Sequence, residues 1–460
     1  MRTLDDCEIC NNRSRRCTDG SCPTNFRPSG LARSCLSRSW CRSGTPKFLE
    51  DLRRSFPRPS EIFSDLRFAA SQGVAASYVK RAEQADAPLV FANLGITLGY
   101  ADRSSVEKIR KKPGVSAVFI APRLGQIKPV RIAAAELKSR LTWALVALGI
   151  ESLWKQGLTG KDILVGHLDT GVDAKHPALK GRVADFGEWD LLGRKLNSPS
   201  PHDSAQHGTH TAGTICGVAV SGQSIGVAPD AKLYSGLVIE GGDTTARILG
   251  GLDWLVGLGV RIVSMSLGYP GYTPVFTRLI EVLASRNVLP VFAIGNEGPN
   301  TSRSPGNYPE SLGIGAIDQS GHTATFSGSE HFVRKLDPDK PDCVAPGVGI
   351  ISAKPGGGYQ EMDGTSMATP HVAGIAALLL QAKPSATAAD LQQAILQSCK
   401  PITGEPPLRY GHGVVQPDQA LKLLTGTAAA SKVSAKRVRS RKVSKAPARQ
   451  TRRAKGRKKV

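Results

Sequence analysis

Three stretches of this chain set a reactive side chain among small neighbours: "DILVGHLDTGVD" (162–173), "HGTHTAGTICG" (207–217) and "DGTSMATPHVAG" (363–374). Asp169, His207 and Ser366, each on such a turn, form a set able to orient a base, move a proton and attack a carbonyl. Ser366 opens an apolar run that continues "IAALLLQA". A serine at a helix N-terminus exposes its hydroxyl where backbone N–H groups lack partners and the dipole favours developing negative charge. Gly364 permits close backbone approach there. Pro370 is expected in the first turn of that helix, where a missing N–H costs least.

The same residues also bear on two other chemistries. "DTG" also occurs in aspartic peptidases, which need two carboxylates sharing a proton. No second Asp-Thr-Gly is present, so one chain cannot make that dyad alone. His207 and His210 are three apart and within reach of each other on a helix, yet no third metal ligand stands at a suitable spacing.

The elements that must position these residues follow from hydrophobic pattern. "DILVGHL", "AKLYSGLVI", "VRIVSMSL" and "VLPVFAI" are continuously apolar, as strands covered on both faces should be. Between them "TARILGGLDWLVGLG" and "PVFTRLIEVLASRN" carry apolar residues at helical spacing. The alternation predicts an α/β fold, a mainly parallel twisted sheet with helices on both faces, over 138–424. Ligands bind such sheets beyond the carboxyl ends of the strands, where the loaded segments fall. Residues 61–125 read as a small α+β unit: strand character in "PLVFANLGITLGY", a helix in "SSVEKIRKKPG" with Ser104 and Glu107 in capping-box spacing, and a short buried strand in "VSAVFIAP".

The segments "DTGVDAKHP", "HGTHTAG", "SMSLG", "AIGNEG", "VAPG" and "GTSMATPHVAG" stand in the order of a subtilisin-like serine peptidase, and from about 140 to 424 the chain resembles that family. The resemblance implies a serine endopeptidase working through an acyl-enzyme, with Ser366 the nucleophile, His207 the base and Asp169 its orienter. It implies Asn296 as side-chain donor to the oxyanion, beside the Ser366 backbone N–H. Ser266, Leu267 and Gly268 would pair with extended polypeptide substrate, and Glu297 and Ile294 would lie near the pocket for the residue before the cut, with an apolar or mixed preference. The 61–125 unit resembles the family's propeptide, an intramolecular inhibitor to be cut off between Pro122 and Arg140. The chemistry requires no cofactor. Many family members hold a structural calcium after the catalytic histidine; here that stretch reads "CGVAVSGQSIG", with Val220 where an amide oxygen is wanted, which argues against it. Cys216 is expected to pack as a small apolar group.

Composition bounds the rest. The chain has 460 residues and net charge +22, but the charge is lopsided. Residues 61–425 carry 34 basic against 32 acidic side chains, whereas 426–460 hold 14 Lys/Arg and no Asp/Glu. That tail has too little apolar content to form a core, and 431–460 suits nonspecific nucleic acid or another polyanion. A polyanion-binding protein on an inactive peptidase scaffold is therefore the alternative function. Truncation after residue 425 is expected to abolish salt-sensitive binding to duplex DNA; unchanged binding refutes this. Six of nine cysteines lie before residue 42, in an Arg-rich segment, 1–60, that reads as a zinc site, a disulfide set or a poorly ordered extension. No apolar run approaches membrane-spanning length and no secretory signal is visible, so the chain is cytoplasmic as written or secreted if its start is misassigned. A monomer is expected.

Overall fold

The computed structural model describes residues 88–99, 103–122, 124–190, 193–240 and 244–426. The cysteine-rich segment, most of the first half of the 61–125 unit and the basic tail lie outside the described residues.

Seven strands form one parallel sheet in the spatial order 343–346, 312–317, 289–293, 262–265, 164–169, 232–237, 183–188. The four apolar runs read from the sequence are all in it. Its central strands are almost wholly buried, because helices cover both faces. One face packs His207–Cys216, Thr365–Ala382, Ala388–Ser398 and Pro417–Thr425 over a core that includes Val165, Ile262, Val291 and Ile314. The other packs Thr244–Gly257 and Thr277–Ser285 over Leu168, Val263, Met265 and Phe292. The sheet begins at an interior strand, 164–169, third from one edge, runs to that edge and then builds the other side. Asp169, Ser266 and Asn296 consequently leave three neighbouring strands at the same, carboxyl edge.

Three local expectations are corrected. Helix 365–382 starts at Thr365, which makes Pro370 its sixth residue and places it in the second turn. The Ser366 carbonyl thus loses its usual partner four residues on, and the Ser266 hydroxyl donates to it instead at 3.3 Å. The early helix spans Arg103–Arg110, so Ser104 lies inside it and not at its N-cap. Residues 115–122 form no strand: Phe119 and Ile120 are exposed, and among the described residues no strand lies alongside to take their backbone groups. The hairpin of Leu89–Phe91 and Ile96–Leu98 does form. Its turn sits on helix 244–257, where Asp253 Oδ1 accepts from the N–H groups of Asn93 and Leu94 at 2.7 and 3.1 Å.

Candidate active site

Asp169 ends strand 164–169. Its Oδ1 accepts from Nδ1–H of His207 at 2.7 Å and from the Thr170 N–H at 2.7 Å. Burial pushes this carboxyl up, but the charge and hydrogen bond of His207, with help from His167 and the Thr170 N–H, hold it below the ordinary carboxylate range.

His207 opens helix 207–216, and two glycines let it approach Asp169. Gly171 has φ +110°, and a Cβ there would stand 2.1 Å from the His202 carbonyl oxygen. A Cβ on Gly208 would stand 2.0 Å from the Gly171 carbonyl oxygen. Asp203 ties the two turns together: it accepts from the Thr170 hydroxyl and the Thr209 N–H, each at 2.7 Å, while Thr170 Oγ1 accepts from the Gly208 N–H at 2.9 Å. His210 faces elsewhere and donates from Nε2 to the Ile350 carbonyl at 2.9 Å. Burial lowers its pKa to about 3. The two histidines do not converge on one point.

Ser366 is the second residue of helix 365–382 and is fully buried. Its hydroxyl donates to the Ile127 carbonyl at 2.8 Å and not to His207, whose Nε2 is buried without a hydrogen-bond partner. Asn296 is oriented by Thr365, whose N–H and hydroxyl both donate to Oδ1, at 2.9 and 2.8 Å. That turns Nδ2 toward the cleft, where it donates to the Lys128 carbonyl at 2.9 Å. A Cβ on Gly364 would stand 3.1 Å from this Nδ2, so the small residue before Thr365 keeps the amide's place open.

Ser266, Leu267 and Gly268 all face another strand, and that strand is the chain's own. Gly125 lies opposite Gly268 and Gln126 opposite Leu267, antiparallel, and the Ile127 N–H donates to the Ser266 carbonyl at 3.2 Å. Ile127 and Leu124 are buried, whereas Gln126 is partly exposed. Past the serine, the Val130 N–H donates to the Asp363 carbonyl at 2.7 Å, and strand 131–135 continues along 359–363.

Some contributors escaped the sequence reading. Arg303 donates from Nη1 to the Gly268 carbonyl at 3.3 Å and pairs through Nε with Glu297 Oε1 at 3.0 Å, beside the groove. It sits on a two-residue strand after a loop, where no periodicity marks it. Thr365 and Thr170, by contrast, each adjoin a reactive residue, and their hydroxyls were the available signal. The loop 216–226 holds no carboxylate, and its Gln223 amide donates to the Leu137 carbonyl at 2.6 Å. That donor set does not suit calcium, which takes six to eight oxygens, carboxylates prominent among them. Cys216 packs in the core, and burial pushes its thiol up to about 12.

A parallel sheet with an Asp–His pair and a helix-borne serine at its carboxyl edge has the build of a serine endopeptidase. The chain belongs to the subtilase family, whose model matches residues 160–413. It is 33% identical over 323 residues to subtilisin E of Bacillus subtilis (strain 168), an alignment covering 68% of this chain and 77% of that protein. It is 35% identical over 283 residues to subtilisin Savinase of Lederbergia lenta, covering 61% and 98%, and 35% identical over 283 residues to the M-protease of Shouchella clausii (strain KSM-K16), covering 61% and 70%. The protein is thus a serine endopeptidase that acts on peptide substrates, and among the described residues no helix is long and apolar enough to cross a membrane.

Proposed function

We infer that Ser366 is the nucleophile, His207 the general base and Asp169 the residue that holds the imidazole in its working tautomer. The observation that carries this reading is the Ile127 carbonyl at 2.8 Å from Ser366 Oγ, in a segment paired as a strand to 266–268. It is a peptide bond presented as a substrate's would be. Because Nδ1–H of His207 donates a hydrogen bond to Asp169, the neutral form of the ring has its lone pair on Nε2. Rotation of the Ser366 hydroxyl from Ile127 to that nitrogen starts the reaction: Nε2 takes the proton, Oγ attacks, and the same proton later goes to the leaving amine. Asn296 Nδ2 and the Ser366 N–H stabilise the oxyanion. One such donor is worth about 100- to 1000-fold in rate, a magnitude established in a subtilisin itself.

Segment 124–128 serves as the built-in inhibitor. Ile127 fills the site of the residue before the cut and Leu124 a buried site three residues upstream, which supports an apolar preference. The bond facing Ser366 is Ile127–Lys128, within the 122–140 window. Asn296 rests on the Lys128 carbonyl, one residue beyond, so cleavage requires this donor to move back to Ile127. The purified wild-type protein is expected to show a new N-terminus at Lys128 and then to react with a fluorophosphonate at Ser366; Ser366→Ala is expected to stay uncut and unlabelled. A first cut elsewhere, or labelling of Ser366→Ala, overturns this reading. The Asp169–His207 pair favours a working peptidase over a scaffold. Contact of residues 431–460 with polyanions is a separate proposal from composition.

A further inference from the structure

Behind Asp169, on the side away from His207, lies a second buried histidine that the chemistry above does not use. His167 is two residues before Asp169 on the same strand, so both side chains leave the same face. Thr211 is four residues after His207 on helix 207–216 and lies beneath it on the same helix face. Ser235, on the neighbouring strand, is in direct register with His167. All are almost completely buried. The contacts run in series: Ser235 Oγ to His167 Nδ1 at 2.9 Å, His167 Nε2 to Thr211 Oγ1 at 2.9 Å, and Thr211 Oγ1 to Asp169 Oδ2 at 3.1 Å.

Proton counting gives the series a direction. Asp169 Oδ1 is served by His207 and the Thr170 N–H, whereas Oδ2 has Thr211 as its hydrogen-bond donor. The Thr211 hydroxyl has one proton and three acceptors in range: this carboxylate and the helix carbonyls of His207 and Gly208, at 3.2 and 3.1 Å. The carboxylate is the charged one and the strongest acceptor. With that proton committed, Thr211 must accept from His167, which then carries its proton on Nε2 and accepts at Nδ1 from Ser235. The opposite direction would leave Oδ2 buried without a donor, at a cost of about 1–3 kcal/mol. Burial keeps His167 neutral by lowering its pKa, against the pull of Asp169 and Asp203.

We propose that His167 is a positioning residue for the peptidase reaction: through Thr211 it pins the inner oxygen of Asp169, so that the outer oxygen stays aimed at His207. Three aligned donors also draw charge toward Oδ2 and moderate the hold of Oδ1 on the imidazolium. The titratable groups facing this chain are Asp169 itself, His207 on the helix and Asp203 in the loop before it; the strand on the other side contributes Ser264, which does not titrate. The proposal rests on the assignment of Asp169 and His207 made above.

The test compares His167→Leu with His167→Gln, whose amide N–H can still reach Thr211, using a peptide substrate on enzyme cleaved between Ile127 and Lys128 and freed of the inhibitory segment. For His167→Leu, kcat is expected to fall about tenfold with KM within about twofold. The acid limb of its kcat/KM profile should move to higher pH: without the His167 N–H behind it, Thr211 donates more weakly to Oδ2, and the carboxylate holds the His207 proton more tightly. His167→Gln should keep the wild-type profile. If the leucine variant does not fold, Thr211→Val takes its place and should show the same split and shift. Equal behaviour of the Leu and Gln variants, a loss confined to KM, or an unmoved acid limb overturns the proposal. Activity surviving in His207→Ala would instead overturn the assignment of the base, whatever the His167 variants do.

Discussion

Ser366→Ala is expected to lower kcat by about a million-fold, the size of loss established for this serine in a subtilisin. The substitution removes one oxygen and keeps the helix intact, since alanine is the best helix former and the site is packed on all sides. What disappears is the atom that bonds to carbon. His207 has no second nucleophile to activate, and the remaining rate over water comes from the oxyanion donors and binding alone. The folded state gives up a single hydrogen bond, to the Ile127 carbonyl, so thermal stability should change by about 1 kcal/mol or less. Steady-state hydrolysis and a melting curve on the same sample separate the two effects. Residual activity within a hundredfold of wild type would mean that Ser366 is not the nucleophile.

Lys340→Met is expected to cost about 3–5 kcal/mol of folding stability. Lys340 is completely buried, and its Nζ lies 2.5 Å from Asp342 Oδ2, 2.8 Å from Asp337 Oδ2 and 2.9 Å from the Ser311 carbonyl to which it donates. Asp342 in turn accepts from the Gly313 N–H at 2.6 Å and so fastens strand 312–317 to the turn before 343–346. Burial pushes the Asp342 carboxyl up to about 7 against the pull of Lys340. Without the cation, the buried Asp342 carboxyl faces the partly buried one of Asp337, and one must take a proton or the turn must open. Urea unfolding in the Ser366→Ala background, where self-digestion cannot interfere, measures the loss. A change below about 1 kcal/mol would show that water reaches the site and that the pair contributes no more than a surface one.

Much of this site could be read before any coordinates, for identifiable reasons. Each reactive residue adjoins glycine or a small hydroxyl residue, because strand-to-helix turns demand close backbone approach, as at Gly171 and Gly208. The four apolar runs could be assigned to a parallel sheet since strands covered on both faces carry no polar alternation. The same reading failed at "VSAVFIAP", where an apolar run has no neighbouring ladder among the described residues and is exposed at Phe119 and Ile120. It also misplaced Pro370 by one turn: the carbonyl it frees is satisfied by Ser266, 100 residues away, and no local signal reports such a partner.

The sequence by itself determined which residues are chemically equipped, in what chain order, and on what kind of element each stands, because these depend on residue type and on spacings of two or four. Only the tertiary structure decided that residues 124–128 lie in the chain's own cleft, that Ser366 faces Ile127 and not His207, and that Asp169 is backed by Thr211, His167 and Ser235. Those arrangements depend on which strands become neighbours and in what register. Register is set by packing the whole sheet between its two helical layers, a property no short window of sequence contains.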